Sequence, residues 1–153
     1  DRKRDGLLIR WYLDGKKSEK RTYKNGRLHG KQTFWYENGQ KSEESNWKDG
    51  KKDGGLFVYS YENEHKIEER TYKNDLLHGK QTFWYENGQK KQENNWKHGK
   101  VDDGLITYWH ENGQKKSEII YNEDGERDGL CTFWDEDGQK SEEVTYKNGR
   151  RMG

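Results

Sequence analysis

A chain of 153 residues lies within the range of one domain, yet only 26% of it is hydrophobic, 39% is charged and the mean hydropathy is −1.66; it is too polar to bury a conventional oily core. Lysine plus arginine (30) balance aspartate plus glutamate (29), which excludes a nucleic-acid binder relying on a basic surplus and argues against adsorption to an anionic membrane. A 14% aromatic content, eighteen glycines at regular intervals and no proline separate the chain from disordered polymers, which are poor in aromatics.

The first predicted strand follows Gly6 and carries Ile9, Trp11 and Tyr12 into a turn at Asp14-Gly15; a charged strand then reaches Tyr23 and a second turn at Asn25-Gly26. The same order repeats from Gly30, Gly55, Gly79, Gly104 and Gly129 up to Gly153, at spacings of 24, 25, 24, 25, 25 and 24 residues. Six units result, about 6–29, 30–54, 55–78, 79–103, 104–128 and 129–152, in a single array over 1–153. In the second unit Asn38-Gly39 and Asp49-Gly50 are the turns; the third has Asn63-Glu64 and Asn74-Asp75; the fourth Asn87-Gly88 and His98-Gly99; the fifth Asn112-Gly113 and Asp124-Gly125; the sixth Asp137-Gly138 and Asn148-Gly149. Such pairs tolerate positive φ and predict two-residue type I′ hairpins. HGKQTFWYENGQK stands at His29–Lys41 and again at His78–Lys90, so the array reads as grown by duplication of pairs.

The expected fold is all-β: an elongated, twisted, single-layer antiparallel β-meander solenoid of six hairpins, about twelve strands, spanning roughly 55–60 Å at ~4.8 Å per strand. Two-residue turns set the register, predicting Tyr36 opposite Lys41, Trp35 opposite Ser42, Phe34 opposite Glu43, Thr33 opposite Glu44 and Tyr23 opposite Leu28. One face then collects Phe34, Tyr59, Phe83, Tyr108 and Phe133; Tyr12, Tyr36, Tyr61 and Tyr85; and Tyr23, Trp47, Tyr72, Trp96, Tyr121 and Tyr146. The other collects Trp11, Trp35, Trp84, Trp109 and Trp134 with Ile9, Thr33, Val58, Thr82, Thr107 and Thr132. Every aromatic but Phe57 falls at one of four repeat positions. Rings stacked on their counterparts in the next unit are expected to replace the core. Lys17, Lys41, Lys66, Lys90, Lys115 and Lys140 are expected opposite the tyrosines, covering them with cation–π contacts.

The motifs GKQTFWYENGQK and TYKNGRLHG resemble the MORN repeat variant family over essentially the whole chain. That resemblance implies antiparallel β-meander arrays without catalytic residues, and it includes bacterial antitoxin and immunity-type proteins as well as cell-surface ones. The third unit departs from the pattern, with Ser60 in place of tryptophan and Glu64 and Asp75 in place of turn glycines.

No catalytic constellation emerges. His29 and His78 share a repeat position 49 residues apart and, with His65, His98 and His110, form no metal-ligand spacing. Glu43-Glu44, Glu68-Glu69 and Glu142-Glu143 point to opposite faces of their strands and do not converge as acid and base. The glycines end hairpins and open no helix, which leaves no phosphate loop. The lone Cys131 permits no intrachain disulfide, leaves the compartment unread and is expected to pack. No apolar run has the length of a membrane span. The chain starts at Asp1, without methionine or signal peptide, and is expected to be part of something longer.

One strip carries a binding expectation: Trp11, Trp35, Trp84, Trp109 and Trp134 flanked by Glu44, Glu69, Glu93, Glu118 and Glu143. Tryptophan is enriched at binding hot spots, and an aromatic-acidic strip suits a basic or extended partner. The sequence thus predicts a non-catalytic, protein-binding scaffold without cofactor or metal, of the bacterial antitoxin or immunity type with a toxin-like protein partner; its compartment is left open, with bacterial cytoplasm favoured over cell surface or secretion. A cell-surface or secreted interaction module is the alternative, and lipid head-group binding a third reading. Open edge strands at the two ends predict end-to-end self-association, or capping by a further domain.

Overall fold

A computed structural model of the chain describes residues 3–59 and 63–153. The chain divides into two compact units, Asp1–Leu77 and His78–Gly153. In the first, the strands are β1 (Gly6–Trp11), β2 (Lys17–Lys24), β3 (Arg27–Leu28), β4 (Gly30–Trp35), β5 (Lys41–Lys48), β6 (Lys51–Tyr59), β7 (Lys66–Lys73) and β8 (Leu76–Leu77). They form an open antiparallel meander in the order β1-β2-β4-β5-β6-β7, with β3 on β2 and β8 on β7. The second unit runs in sequence order through β9 (Gly79–Trp84), β10 (Lys90–Lys97), β11 (Lys100–Trp109), β12 (Lys115–Ile120), β13 (Gly129–Trp134), β14 (Lys140–Lys147) and β15 (Arg150–Arg151). There is no helix among the described residues. The all-β hairpin meander read from the repeat is the fold observed.

The two turns of each repeat differ in kind. Asn25 and Gly26 have φ of 52° and 81°, and Tyr23 pairs with Leu28 across them, as a type I′ hairpin requires. Asp49-Gly50, Asn74-Asp75, His98-Gly99 and Asn148-Gly149 match it, positive at both residues. The first turn does not follow that expectation. Only Gly39 is left-handed there; its N–H donates to the Tyr36 carbonyl at 2.9 Å, and the Tyr36 N–H donates to the Gln40 carbonyl at 2.8 Å. This is a three-residue loop closed by a glycine bulge. The Asn38 side chain favours it by accepting the Gln40 N–H at 3.0 Å, and Asp14, Asn87, Asn112 and Asp137 do the same. Asp124-Gly125 also forms a three-residue loop, because Tyr121 pairs with Arg127 and only Gly125 is left-handed.

The longer loop shifts the register by one residue, and a bulge beside it restores the register. Phe34 meets Glu43 and Thr33 meets Glu44, as the turn spacing predicts, but Trp35 meets Lys41, with Ser42 as the extra residue. Tyr36 therefore faces Gln40. The invariant lysine sits opposite the tryptophan, not the tyrosine: Trp11–Lys17, Trp35–Lys41, Trp84–Lys90, Trp109–Lys115 and Trp134–Lys140 are all register pairs.

The third repeat is framed one residue earlier than its spacing suggests. Gly54 pairs with Tyr72, Phe57 with Glu69, Val58 with Glu68 and Tyr59 with Lys66. Gly54 thus holds the place of Gly30, and both are left-handed, at 111° and 93°, while Gly55 is not. Tyr59 fills the tryptophan position and Phe57 the Thr33 position, where Tyr59 and Val58 were each expected one place away. The Ser60 substitution and Tyr61 fall outside the described residues. Six residues lie between Tyr59 and Lys66 where five lie between Trp35 and Lys41, and Glu64, at φ 57°, takes the glycine's left-handed place.

The interior is a thin column on the face that carries Phe34 and Trp47. Its paired positions are Gln32–Ser45 and Leu56–Arg70 in the first unit. In the second they are Gln81–Asn94, Ile106–Ile119 and Cys131–Val144. Ring N–H groups close over the polar pairs: Trp47 Nε1 donates to Ser45 Oγ at 2.9 Å, and Trp96 Nε1 to Gln81 Oε1 at 2.8 Å. Cys131 is fully buried, in the packing role expected of it.

Candidate interaction surface

The strip expected to bind forms on the face opposite that column. Thr33 and Trp35 alternate onto it from β4, and the register adds Glu44 and Lys41 from β5. In the first unit it carries Trp11, Trp35, Tyr59, Glu44 and Glu69; in the second Trp84, Trp109, Trp134, Glu93, Glu118 and Glu143. Trp11 is exposed, while the other slot rings are half-buried.

Like positions lie two strands apart, ~9.6 Å at ordinary strand spacing, beyond the ~4.5–7 Å at which rings stack. Accordingly, among the described residues the rings of successive repeats do not stack, contrary to expectation. The intervening strand supplies a cation instead. Lys90 Nζ lies 5.5 Å from the Trp109 ring, Lys115 Nζ 5.3 Å from the Trp134 ring, and Lys66 Nζ 4.4 Å from the Phe57 ring. The tyrosine side receives a different lysine, with the bulge residue Lys91 at 5.7 Å from Tyr85.

The carboxylates are not a bare acidic row, because in the second to sixth repeats the lysine neutralises its own repeat's glutamate. Lys41–Glu44 is 2.9 Å, Lys66–Glu69 3.7 Å, Lys90–Glu93 2.8 Å, Lys115–Glu118 2.6 Å and Lys140–Glu143 2.7 Å. Glu44 is the most enclosed. Burial pushes its carboxyl up, but Lys31, Lys41 and the Tyr59 hydroxyl outweigh that and hold it at about 2. Burial, and then the Glu44 charge, push the Tyr59 hydroxyl up to about 12. Burial likewise opposes, and Lys90 and Lys80 overcome, the charge on Glu93, whose carboxyl is lowered. Lys140 lowers Glu143.

A second row of contacts links repeats through the residue after the slot. The Tyr12 hydroxyl donates to the Trp35 carbonyl at 2.5 Å, Tyr36 to Tyr59 at 3.0 Å and Tyr85 to Trp109 at 2.9 Å. His110 Nε2 lies 2.9 Å from the Trp134 carbonyl. Its place two residues before Asn112, where Tyr36 precedes Asn38, was the available signal for this tyrosine-like role. His29 and His78 accept backbone N–H groups from Asp49 and His98, at 3.3 and 3.4 Å, which is turn bracing. No group of three or more histidines, cysteines or carboxylates among the described residues could hold a metal ion, and no helix is long and apolar enough to cross a membrane.

The MORN repeat variant model matches residues 4–25, 28–49, 77–98, 102–123 and 127–148. The chain belongs to the MORN repeat variant family. No curated protein matches it in sequence. The stretch left unmatched in the middle is the repeat whose slot is Tyr59, whose loop is one residue longer and whose turns lack glycine. The MORN-variant register nevertheless holds between its two described strands, from Gly54–Tyr72 to Tyr59–Lys66. Repeats of this kind are generally non-catalytic binding or scaffold modules, engaged with proteins or membrane lipids.

Proposed function

We propose that this MORN-variant chain is a scaffold that captures a protein partner stoichiometrically through its tryptophan face, as a bacterial antitoxin or immunity protein does. The observation that carries the reading is the alternation of half-buried rings with lysines already ion-paired to glutamates. Side chains held this way lose little freedom on binding, which lowers the cost of association, and tryptophan is the residue most enriched at hot spots. Balanced charge favours a protein over a polyanion.

The test is capture by the full chain against Trp109→Ala/Trp134→Ala, with circular dichroism to show that the fold persists. A partner held at one-to-one stoichiometry by the parent and lost by the variant is expected; equal capture by both defeats the face assignment. Salt-sensitive co-sedimentation with phosphatidylglycerol vesicles would move the reading to lipid head groups. Self-association through sheet edges belongs to the same proposal, and mass rising with concentration in light scattering is its expected sign.

A further inference from the structure

The repeats serve as comparison structures for one another on the column face, where the residue across the second hairpin is a cation in some, Lys52, Arg127 and Arg151, and aliphatic in others, Leu28, Leu77 and Val101. There, the aromatic at the end of each second strand is flanked by the residue across its hairpin. Trp47 pairs with Lys52, whose ammonium lies 5.9 Å from the Trp47 ring and 5.0 Å from the Tyr72 ring of the following repeat. Arg127, across the hairpin from Tyr121, lies over two rings of the following repeat, Phe133 and Tyr146, at 5.9 and 5.3 Å, and Arg4 sits over Tyr23 at 5.0 Å. Trp96 pairs instead with Val101.

Valine has no charge and is too short to reach between rings. The space that Lys52 occupies between Trp47 and Tyr72 is correspondingly open between Trp96 and Tyr121, as a cleft of about 850 Å³ with Val101 and Ile106 on its walls. Two backbone features border it. The three-residue loop Glu123-Asp124-Gly125 replaces the tighter turn found at Asn148-Gly149. Gly104 brings β11 close to the following strand, where an added Cβ would lie 2.0 Å from the Tyr121 carbonyl oxygen. The Trp96 ring is oriented by its bond to Gln81.

The rim carries a net acidic charge. Asp103, Glu123 and Asp124 line the cleft together with a single cation, Lys100. Glu123 is paired with Lys100 at 3.5 Å, while Asp103 and Asp124 have no lysine or arginine ion-pair partner among the described residues. Aromatic walls with a carboxylate rim are the surroundings in which a cation is held most strongly.

We propose that this cleft receives a lysine or arginine side chain from a basic peptide segment of a protein partner, in the place that Lys52 fills within the first unit. The site lies on the face opposite the tryptophan strip and does not depend on that strip's role.

The experiment is a titration of the full ¹⁵N-labelled chain with the peptide Ac-Gly-Arg-Gly-NH₂, following the Trp96 indole and Tyr121 amide resonances. A saturable shift confined to these signals is expected, and the citrulline counterpart should give none. Val101→Lys places an ammonium where Lys52 stands and should weaken the peptide at least tenfold; Asp124→Asn, an exposed change in a turn, should weaken it several-fold without touching the walls. Lys52→Val should create a second responding site at Trp47. Absence of a shift, an equal response to citrulline, or unaltered binding by both Val101→Lys and Asp124→Asn overturns the proposal. Tighter binding of spermidine than of the peptide overturns the assignment to a protein segment.

Discussion

The second and the sixth repeats build the same hairpin around opposite chemistries. In the second, the buried pair is Gln32–Ser45, and Thr33 and Glu44 are buried behind it; in the sixth, the pair is Cys131–Val144. Register, bulge and turn are shared: Phe34–Glu43 and Trp35–Lys41 in one, Phe133–Glu142 and Trp134–Lys140 in the other. A backbone specified by turns and left-handed glycines accepts either filling, and in the polar one the Trp47 indole donates to Ser45 Oγ. This explains how a chain with so little apolar content forms ordered sheets.

The leading glycines test that claim hardest. Gly104→Ala combines a left-handed φ of 71° with a Cβ driven into the Tyr121 backbone, and should cost about 2–5 kcal/mol. Gly6→Ala, at the same repeat position with nothing within 4 Å, should cost only about 1–2 kcal/mol. Thermal or urea unfolding of the two variants measures the gap; equal losses would mean that close strand approach is not what the glycine serves.

The filling itself comes next. Ile119→Ala empties an apolar site and should cost about 2–4 kcal/mol. Ser45→Ala removes the acceptor of the Trp47 N–H and should cost about 1 kcal/mol. A larger loss for Ser45→Ala would show that the polar column is the more tightly specified of the two.

The smallest effect is a pH dependence, and it separates Glu44 from Glu143. Glu44 is held at about 2, below its ordinary value of 4.5, so its contribution is complete above pH 4.5 and is lost as the pH falls toward 2. Glu44→Gln should flatten that part of the stability profile. Glu143, lowered by Lys140 but exposed, should leave the profile nearly unchanged when replaced by glutamine, since solvent screens such pairs. Identical acid profiles for the two variants would remove the distinction.

Much of the architecture was legible in the residue order. Glycine spacing and Asn-Gly or Asp-Gly pairs implied hairpins in succession, and Tyr23–Leu28, Thr33–Glu44 and Phe34–Glu43 pair as the turn spacing required. The strip's members were also readable, because alternation along a strand needs only the right frame. Less accessible was the frame of the third repeat: Gly54 and Gly55 are chemically equivalent choices, and a slip of one residue exchanges the faces. Tyr59 and Phe57 were misplaced for that reason. The lysines were placed beside the wrong ring because loop length and the compensating bulge at Ser42 are invisible to composition.

By itself, then, the amino-acid order determined the period, the strands and the places where the chain reverses, since these depend on contacts between near neighbours and on the φ values that asparagine, aspartate and glycine tolerate. Tertiary structure alone decided which cation meets which ring, which carboxylate is neutralised and where Val101 leaves a gap that Lys52 fills elsewhere. Those outcomes depend on side chains reaching across two strands, a distance set by the sheet and not by the spacing of residues along the chain.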